Sequence, residues 1–287
     1  MELSLGTVQL GLHYGVNNDT GALTDEQADA VLDAAADAGF TMVDTSVDYG
    51  LAIERIARFL RRRPGALEVV AKFFGGLSKE EIWKQSENAL QTLGTIDYTL
   101  LWTAGQDIAS LDPAYADGVT VYTVDEAEDV PEDFGIVQVP ASILDGRMDE
   151  EIPRLQAQGR TVIVRSLLLQ GLLAADPNDG PVGHHQCPAL ADTARPYLQE
   201  LRSLATTYKM SVIELAVRWV WEIDPDVAVL GAETPDQVRE IATAWKRGPL
   251  PREVVHVAHA IREDIPAVVI SPLMWGQQFD FTMSTPG

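Results

Sequence analysis

Short apolar runs alternate with amphipathic stretches along the whole chain. Eight of these runs read as strands, at residues 3–8, 40–44, 68–73, 97–102, 118–123, 135–139, 161–166 and 227–231. Apolar strands that alternate with helices predict a closed parallel α/β barrel, the (β/α)8 TIM barrel, as a single domain over 1–287. A doubly wound open sheet is the competing fold. The turn after the first strand, LGLHYG, lacks the G-x-G-x-x-G order typical of that sheet, so we favour the barrel.

Helix signals lie between the strands. Thr24 with Gln27, and Ser78 with Glu81, have the spacing of a capping box, and they predict helices that begin at about 23 and 78. The strands at 118–123 and 135–139 are separated only by a brief acidic segment. Further helices are expected near 51–62, 149–158, 192–208, 211–222, 234 onward and 252–263.

The composition excludes some classes of partner. The chain has 287 residues, 46% of them hydrophobic, which is enough for one large core. Its net charge is −22, from 43 acidic and 21 basic residues, of which five are lysine. Such a surface repels nucleic acid and anionic membranes. A high-salt cytoplasm would explain both the acid excess and the shortage of lysine, and an ordinary acidic cytosolic enzyme is the alternative.

Targeting signals and cysteine usage favour a cytoplasmic protein. The N-terminus MELSLGTVQL lacks a basic region followed by a long apolar stretch, so we expect no signal peptide. No apolar run approaches the ~20 residues of a membrane helix. The single cysteine, Cys187, excludes an internal disulfide and fits a reducing compartment. It lies with His184 and His185 in a proline-rich loop that has no second pair of ligands, so we expect no metal site there.

Candidate chemistry lies at or just after the ends of two strand runs. Asp44 ends FTMVD, Lys72 lies at the end of EVVAK, and Tyr49 follows five residues after Asp44. The carboxyl ends of the strands are where a parallel barrel keeps its active site. A lysine beside a tyrosine lowers the pKa of the phenol, and an aspartate holds the lysine. The set therefore predicts a proton donor suited to carbonyl reduction. His13 and Tyr14 follow the first strand and are expected near the mouth of the pocket.

The chain resembles the aldo-keto reductase superfamily over nearly its whole length. LGTVQLGLHYG resembles the opening segment of the family, VDTSVDYG its Asp-to-Tyr segment, and VVAKF its lysine strand. IVQVPASILDGR, VIVRSLLLQGLL and GAETPDQVREI follow in the family's order. The resemblance implies NADPH-linked carbonyl reduction through a tetrad of Asp, Tyr, Lys and His. Asp44, Tyr49 and Lys72 match the first three members, with Tyr49 as the proton donor.

The fourth member of the tetrad is replaced. DYTLLW ends in Trp102 where the family has histidine. An indole offers one N–H donor, has no acceptor and does not titrate. Trp102 is therefore either a donor to a substrate oxygen or an apolar wall, and ordinary ketone reduction is in doubt.

The resemblance also implies a dinucleotide site. Thr120 and Gln138 match positions that hold the nicotinamide amide, and Gln237 matches an adenine contact. Ile241 replaces the asparagine usually found four residues later. Glu233 stands at a position where a basic residue would bind the extra phosphate of NADP. Arg239 could supply the missing positive charge. The sequence therefore leaves both NAD and NADP as candidate cofactors. The full predicted set is Thr7, Thr120, Gln138, Arg165, Ser166, Gly231, Glu233, Thr234, Gln237 and Arg239, with simple helix capping as the alternative role of Thr234 and Gln237.

The favoured interpretation is an NAD(P)H-dependent oxidoreductase that reduces a small carbonyl compound, sugar-derived or from another metabolite. One alternative is a non-redox lyase, dehydratase or isomerase that uses Tyr49 and Lys72 as acid and base. Another is a catalytically weak protein that senses a nucleotide. Substrate specificity is expected from the loop 174–190 and from the C-terminal tail 265–287, where Trp275 and Phe279 would close over the pocket.

Overall fold

Eight parallel strands close into a barrel in chain order. The computed structural model describes residues 1–16, 18, 21–103, 107–176 and 188–275. The strands are β1 (Glu2–Gly6), β2 (Met42–Ser46), β3 (Glu68–Phe74), β4 (Tyr98–Trp102), β5 (Gly118–Thr120), β6 (Ile136–Pro140), β7 (Thr161–Arg165) and β8 (Val227–Gly231). Each strand pairs with the next, and β8 returns to pair with β1. The predicted (β/α)8 TIM barrel is confirmed, and the open sheet is excluded.

Helices connect the strands on the outside of the barrel. They are α1 (Val8–Gly11), α2 (Asp25–Ala38), α3 (Ala52–Arg62), α4 (Lys79–Leu93), α5 (Val124–Glu128), α6 (Glu151–Ala157), α7 (Pro188–Thr207), α8 (Val212–Ile223), α9 (Pro235–Lys246), α10 (Arg252–Ile261) and α11 (Ala267–Ile270). Both predicted capping boxes are present, at Thr24 and at Ser78. None of the described helices combines the length and the apolar character that crossing a bilayer requires.

The segment after β5 differs from its prediction. The strand ends at Thr120, and the acidic stretch that follows is the short helix α5. Thr123 accepts from the backbone of Glu126, and the Glu126 side chain returns to the Thr123 N–H. This capping box satisfies backbone N–H groups at the start of the helix, which stabilises a helix of only five residues. Such a short helix shows no hydrophobic periodicity in the sequence.

The strands separate two apolar clusters. Outward-facing residues such as Val43, Val69 and Leu101 belong to the core that the strands share with the surrounding helices. The inward-facing residues form a second cluster, which we call the apolar plug: Met42, Val70, Leu100, Ile136, Ile163, Val227 and Val229. Because the plug fills the barrel, polar side chains gather beyond it, towards the strand ends.

A third cluster joins α7, α8 and α10 to the C-terminal segment. Trp219 and Trp275 are both fully buried in it, and the Trp275 indole donates to the Val268 carbonyl. The ring of Trp275 thus packs in this cluster, and Phe279 lies outside the described residues. Trp219 and Trp221 both lie in the apolar sequence of α8, which predicts two core residues. Trp221 differs from this prediction, because it is 37% exposed and its ring lies against that of Trp245.

Candidate active site

A ring of mostly polar residues lies directly above the apolar plug. Asp44, Lys72 and Gln138 each come two positions after a plug residue on the same strand. Alternate residues of a strand share one face, so these side chains point into the barrel at the carboxyl ends of the strands. The corresponding positions on β4, β5, β7 and β8 are Trp102, Thr120, Arg165 and Gly231.

Four of these side chains form one buried network. Lys72 Nζ donates to Asp44 Oδ1 in a buried ion pair. Gln138 Nε2 donates to Asp44 Oδ2 over 2.7 Å, and Thr120 Oγ1 donates to Gln138 Oε1 over 3.1 Å. Each residue is at most 5% exposed. Both oxygens of Asp44 are therefore satisfied, as a buried carboxylate requires.

Tyr49 lies in the loop after β2, beside this network. Lys72 Nζ is 5.4 Å from the centroid of the Tyr49 ring. The loop is fixed by a close backbone approach to α1, since a Cβ added at Gly11 would lie 1.7 Å from the Tyr49 carbonyl oxygen. Gly50 has a positive φ of 54°, and a Cβ there would lie 2.5 Å from the Gly11 carbonyl oxygen. Both positions thus require glycine, and together they hold the tyrosine over the barrel mouth.

The phenol does not have the lowered pKa that its lysine neighbour suggests. Burial raises the pKa of Tyr49, the Asp44 charge raises it further, and the Arg165 charge lowers it. The expected lowering fails because burial and the Asp44 charge both raise the pKa and together outweigh the cations beside the ring. Tyr49 is accordingly protonated across the neutral pH range.

Trp102 packs as an aromatic wall with a polar edge. Its ring lies 4.7 Å from that of Phe74, which stands opposite it on β3. Burial raises the pKa of the nearby Asp48 carboxyl, whereas the Ser46 hydroxyl and the Trp102 indole N–H lower it. The Ser46 hydroxyl donates to Asp48 Oδ2 over 3.3 Å. The indole is thus directed at a carboxylate that the sequence interpretation passed over.

Several predicted cofactor residues lie around the same mouth. Thr7 is fully buried, and its hydroxyl donates to the Asp44 carbonyl oxygen over 2.8 Å. Ser166 has a left-handed φ of 64°, and its hydroxyl accepts from Arg165 Nη1. Gly231, at the end of β8, faces Gln9, whose Oε1 is buried without a hydrogen-bond partner.

The start of α9 follows the capping interpretation. Thr234 accepts from the backbone N–H of Gln237, and Gln237 Oε1 accepts from the Glu233 N–H over 2.6 Å. Arg239 pairs with Asp236 on the exposed face of this helix. Burial raises the pKa of Glu233, and the nearby His13 lowers it. Ile241 is buried in the helix-facing core.

Sequence reasoning missed a second aromatic residue at the mouth and gave little weight to another. The ring of Tyr122, just after β5, stacks under the Arg165 guanidinium, 4.4 Å from its Cζ. Burial raises the pKa of Tyr14, and the neighbouring phenol of Tyr49 raises it further. An aromatic residue directly after a strand was the available signal for Tyr122. His184, His185 and Cys187 lie outside the described residues.

Comparison with known proteins assigns this chain to a family. The model of the aldo/keto reductase family matches residues 2–111 and 116–274. The chain belongs to the aldo/keto reductase family. No match was found among curated proteins. The first matched segment contains the strands that carry Asp44, Lys72 and Trp102 and the loop that carries Tyr49.

Solved structures of aldo/keto reductases share the fold. The glycerol dehydrogenase of Gluconobacter oxydans is 21% identical, with a TM-score of 0.71, and the match covers 92% of this chain and 91% of that one. A Klebsiella pneumoniae aldo/keto reductase in complex with NADP and acetate is 21% identical, with a TM-score of 0.67 and 91% of each chain covered. A holo form from Bacillus halodurans is 19% identical, with a TM-score of 0.68 and 91% of each chain covered.

Proposed function

We propose that this aldo/keto reductase is an NAD(P)H-dependent oxidoreductase that reduces a small carbonyl compound, with Tyr49 as the proton donor. The observation that carries the proposal is the buried Asp44–Lys72 ion pair next to the Tyr49 ring at the carboxyl end of the barrel. A phenol delivers a proton to a developing alkoxide when nearby cations stabilise the phenolate that remains. The ammonium of Lys72 and the guanidinium of Arg165 are the cations available for this.

The residues around the mouth fit a nicotinamide dinucleotide. Gln138 has one N–H and one lone pair left for a carboxamide after its bonds to Asp44 and Thr120. Gln9 Oε1, beside Gly231, is a buried acceptor that a ligand hydroxyl or amide would satisfy. The N-terminus of α9 at Thr234 offers N–H groups to a phosphate. When bound, such a cofactor supplies a hydride to the carbonyl carbon.

Tyr49 is the group that we expect to move the proton. Its raised pKa keeps the hydroxyl protonated at neutral pH, so the donor form is fully populated. Trp102 carries one N–H, which faces Asp48, and because this N–H does not titrate the indole cannot relay a proton. We therefore propose that Trp102 shapes the pocket and that the reaction runs without the proton relay of a histidine.

Two features bear in opposite directions on whether the enzyme prefers NADP or NAD. Aldo/keto reductases with the same fold have been solved in complex with NADP and with NADPH. In this chain, however, Arg239 would have to leave Asp236 to meet a 2′-phosphate, and Glu233 lies nearby. Both cofactors are therefore tested.

We also propose that the enzyme is cytoplasmic, in keeping with its acidic composition.

Fluorescence titration with NADPH and NADH tests the proposal, followed by turnover of a panel of aldehydes and ketones. We expect one dinucleotide to bind with a Kd well below millimolar, and its oxidation to require an added carbonyl compound. Failure of both dinucleotides to bind would remove the redox function. Product formation without any dinucleotide would instead establish the non-redox lyase or isomerase.

A further inference from the structure

The Arg165 guanidinium reaches across the barrel mouth. From the end of β7 it passes β6, and Nη2 donates to the Val121 carbonyl oxygen over 2.9 Å. Nη1 donates to the Ser166 hydroxyl over 3.1 Å, and Cζ lies 4.4 Å from the centroid of the Tyr122 ring. Its Nε is buried and has no hydrogen-bond partner. These neutral contacts fix the plane of the cation but do not neutralise it.

No carboxylate of the described residues forms an ion pair with Arg165. Other arginines of this acidic chain do pair with carboxylates, as Arg55 does with Asp25 and Arg147 with Asp145. A buried charge is costly unless it is paired, and an anionic ligand is the usual partner of an arginine in a pocket.

The surroundings of the guanidinium are aromatic and held in place. Tyr14 and Tyr49 are partly buried, and burial raises the pKa of each phenol whereas the Arg165 charge lowers it. The loop that carries Tyr14 is attached to the turn after β7, because the Val16 N–H donates to the Gln170 carbonyl over 3.0 Å.

The turn after β7 is itself strained. Ser166, Leu169 and Gln170 have left-handed φ values of 64°, 46° and 54°. Non-glycine residues in this region cost free energy, and such strain persists where the surroundings over-determine the backbone, commonly at ligand sites. The turn that follows Arg165 thus has the kind of backbone strain that is common at ligand sites.

We propose that Arg165 binds a carboxylate group of the substrate, so that the enzyme reduces carbonyl compounds that also carry a carboxylate. This inference rests on the proposed function, because it places the reacting carbonyl at Tyr49 and the anion at Arg165. After the bonds to Ser166 and Val121, each terminal nitrogen of the planar guanidinium keeps one N–H, and a carboxylate accepts such donors. The rings of Tyr14 and Tyr122 suit the apolar part of a small aromatic or short-chain oxo acid.

A matched pair of substrates tests the inference: 3-carboxybenzaldehyde and its methyl ester, which differ in charge at one end. The variants are Arg165→Gln and Arg165→Lys, with Arg61→Gln at an exposed position of α3 as the control. We expect Arg165→Gln to lower the acid-to-ester ratio of kcat/KM by roughly 10- to 100-fold, the range for a hydrogen bond to a charged group. Arg165→Lys should retain part of this ratio, and Arg61→Gln all of it.

Two binding measurements separate failure of the inference from failure of the proposed function. Calorimetry with benzoate and benzamide reports the anion site without turnover, and we expect benzoate binding to be lost in Arg165→Gln. NADPH affinity should stay within about threefold of the wild type. An unchanged acid-to-ester ratio with unchanged benzoate binding would overturn the inference. Weaker NADPH binding at an unchanged ratio would also overturn it, and would assign Arg165 to the dinucleotide.

Discussion

The side-chain amide of Gln138 donates to Asp44 Oδ2 over 2.7 Å, so the carboxylate that pairs with Lys72 is held from two sides. The two residues are 94 positions apart in the sequence, on β6 and β2. Gln138 is thereby a positioning residue for the ion pair, in addition to its proposed contact with nicotinamide.

Replacing Gln138 by leucine removes the donor to a buried carboxylate oxygen. An unsatisfied buried acceptor costs about 1–3 kcal/mol, and more when it is charged. We expect Gln138→Leu to lower the free energy of unfolding in urea by at least this amount. Gln91→Leu, at an exposed position of α4, is the control and should change it by less than about 0.5 kcal/mol. Equal unfolding midpoints for the two variants would contradict the network.

The Asp44–Lys72 pair predicts a non-additive double mutant. Lys72→Met leaves a buried carboxylate without its cation, and we expect a loss of about 3–5 kcal/mol. In Asp44→Asn/Lys72→Met no charge remains, and the asparagine oxygen still accepts from Gln138. The double mutant should therefore be more stable than Lys72→Met in denaturant unfolding. If the second substitution instead adds to the loss, the pair is not coupled in the way the geometry requires.

The contact of Gly11 with the Tyr49 loop predicts a substitution that moves the proposed proton donor. An alanine Cβ at Gly11 would collide with the Tyr49 carbonyl, and backbone cannot yield as a flexible side chain can. We expect Gly11→Ala to cost about 1–3 kcal/mol and to lower kcat. Gly135→Ala is the control, because its nearest neighbour lies 3.9 Å away. Wild-type stability and kcat in Gly11→Ala would show that the loop is not fixed by this contact.

The half-buried Asp48 predicts that its replacement by asparagine stabilises the protein in a pH-dependent way. Because burial raises its pKa in the folded state, the folded protein binds this proton more tightly than the unfolded chain does. The charged carboxylate therefore destabilises the fold above the folded-state pKa, and the penalty fades as the pH falls towards about 4. Asp48→Asn should be more stable than the wild type at pH 7, with a difference that shrinks at low pH.

Thermal unfolding between pH 4 and pH 8 measures the Asp48 effect. Asp133→Asn, at an exposed position, provides the control for a general change of net charge in this acidic chain. A gain in Asp48→Asn that is the same at every pH, or one matched by Asp133→Asn, would argue against a raised pKa.

Local patterns sufficed for the architecture and for part of the site. The capping pairs at Thr24 and Ser78 involve residues three apart, and the strand runs are continuous in sequence. Asp44 and Lys72 were foreseeable as partners because both end strands of one parallel barrel, whose carboxyl ends converge.

The remaining features depend on packing between distant segments. The reach of Arg165 to Val121 crosses an intervening strand, and the approach of Gly11 to Tyr49 is set by the path of two loops. The pKa of Tyr49 likewise follows from its burial, which no sequence pattern encodes, and that is why the expected lowering by Lys72 was wrong. The role of Asp48 emerges only with the placement of Trp102.

The central claim is that Tyr49 donates a proton to the carbonyl oxygen of the substrate as the carbonyl is reduced. The most direct test is the rate of carbonyl-dependent NAD(P)H oxidation in Tyr49→Phe, compared with Tyr115→Phe. Tyr115 is a matched control, since Lys79 Nζ lies 5.3 Å from its ring centroid, much as Lys72 Nζ lies 5.4 Å from that of Tyr49. We predict that kcat falls by roughly 10²- to 10⁴-fold in Tyr49→Phe with dinucleotide binding retained, while Tyr115→Phe stays at the wild-type rate. A wild-type rate in Tyr49→Phe would contradict the account.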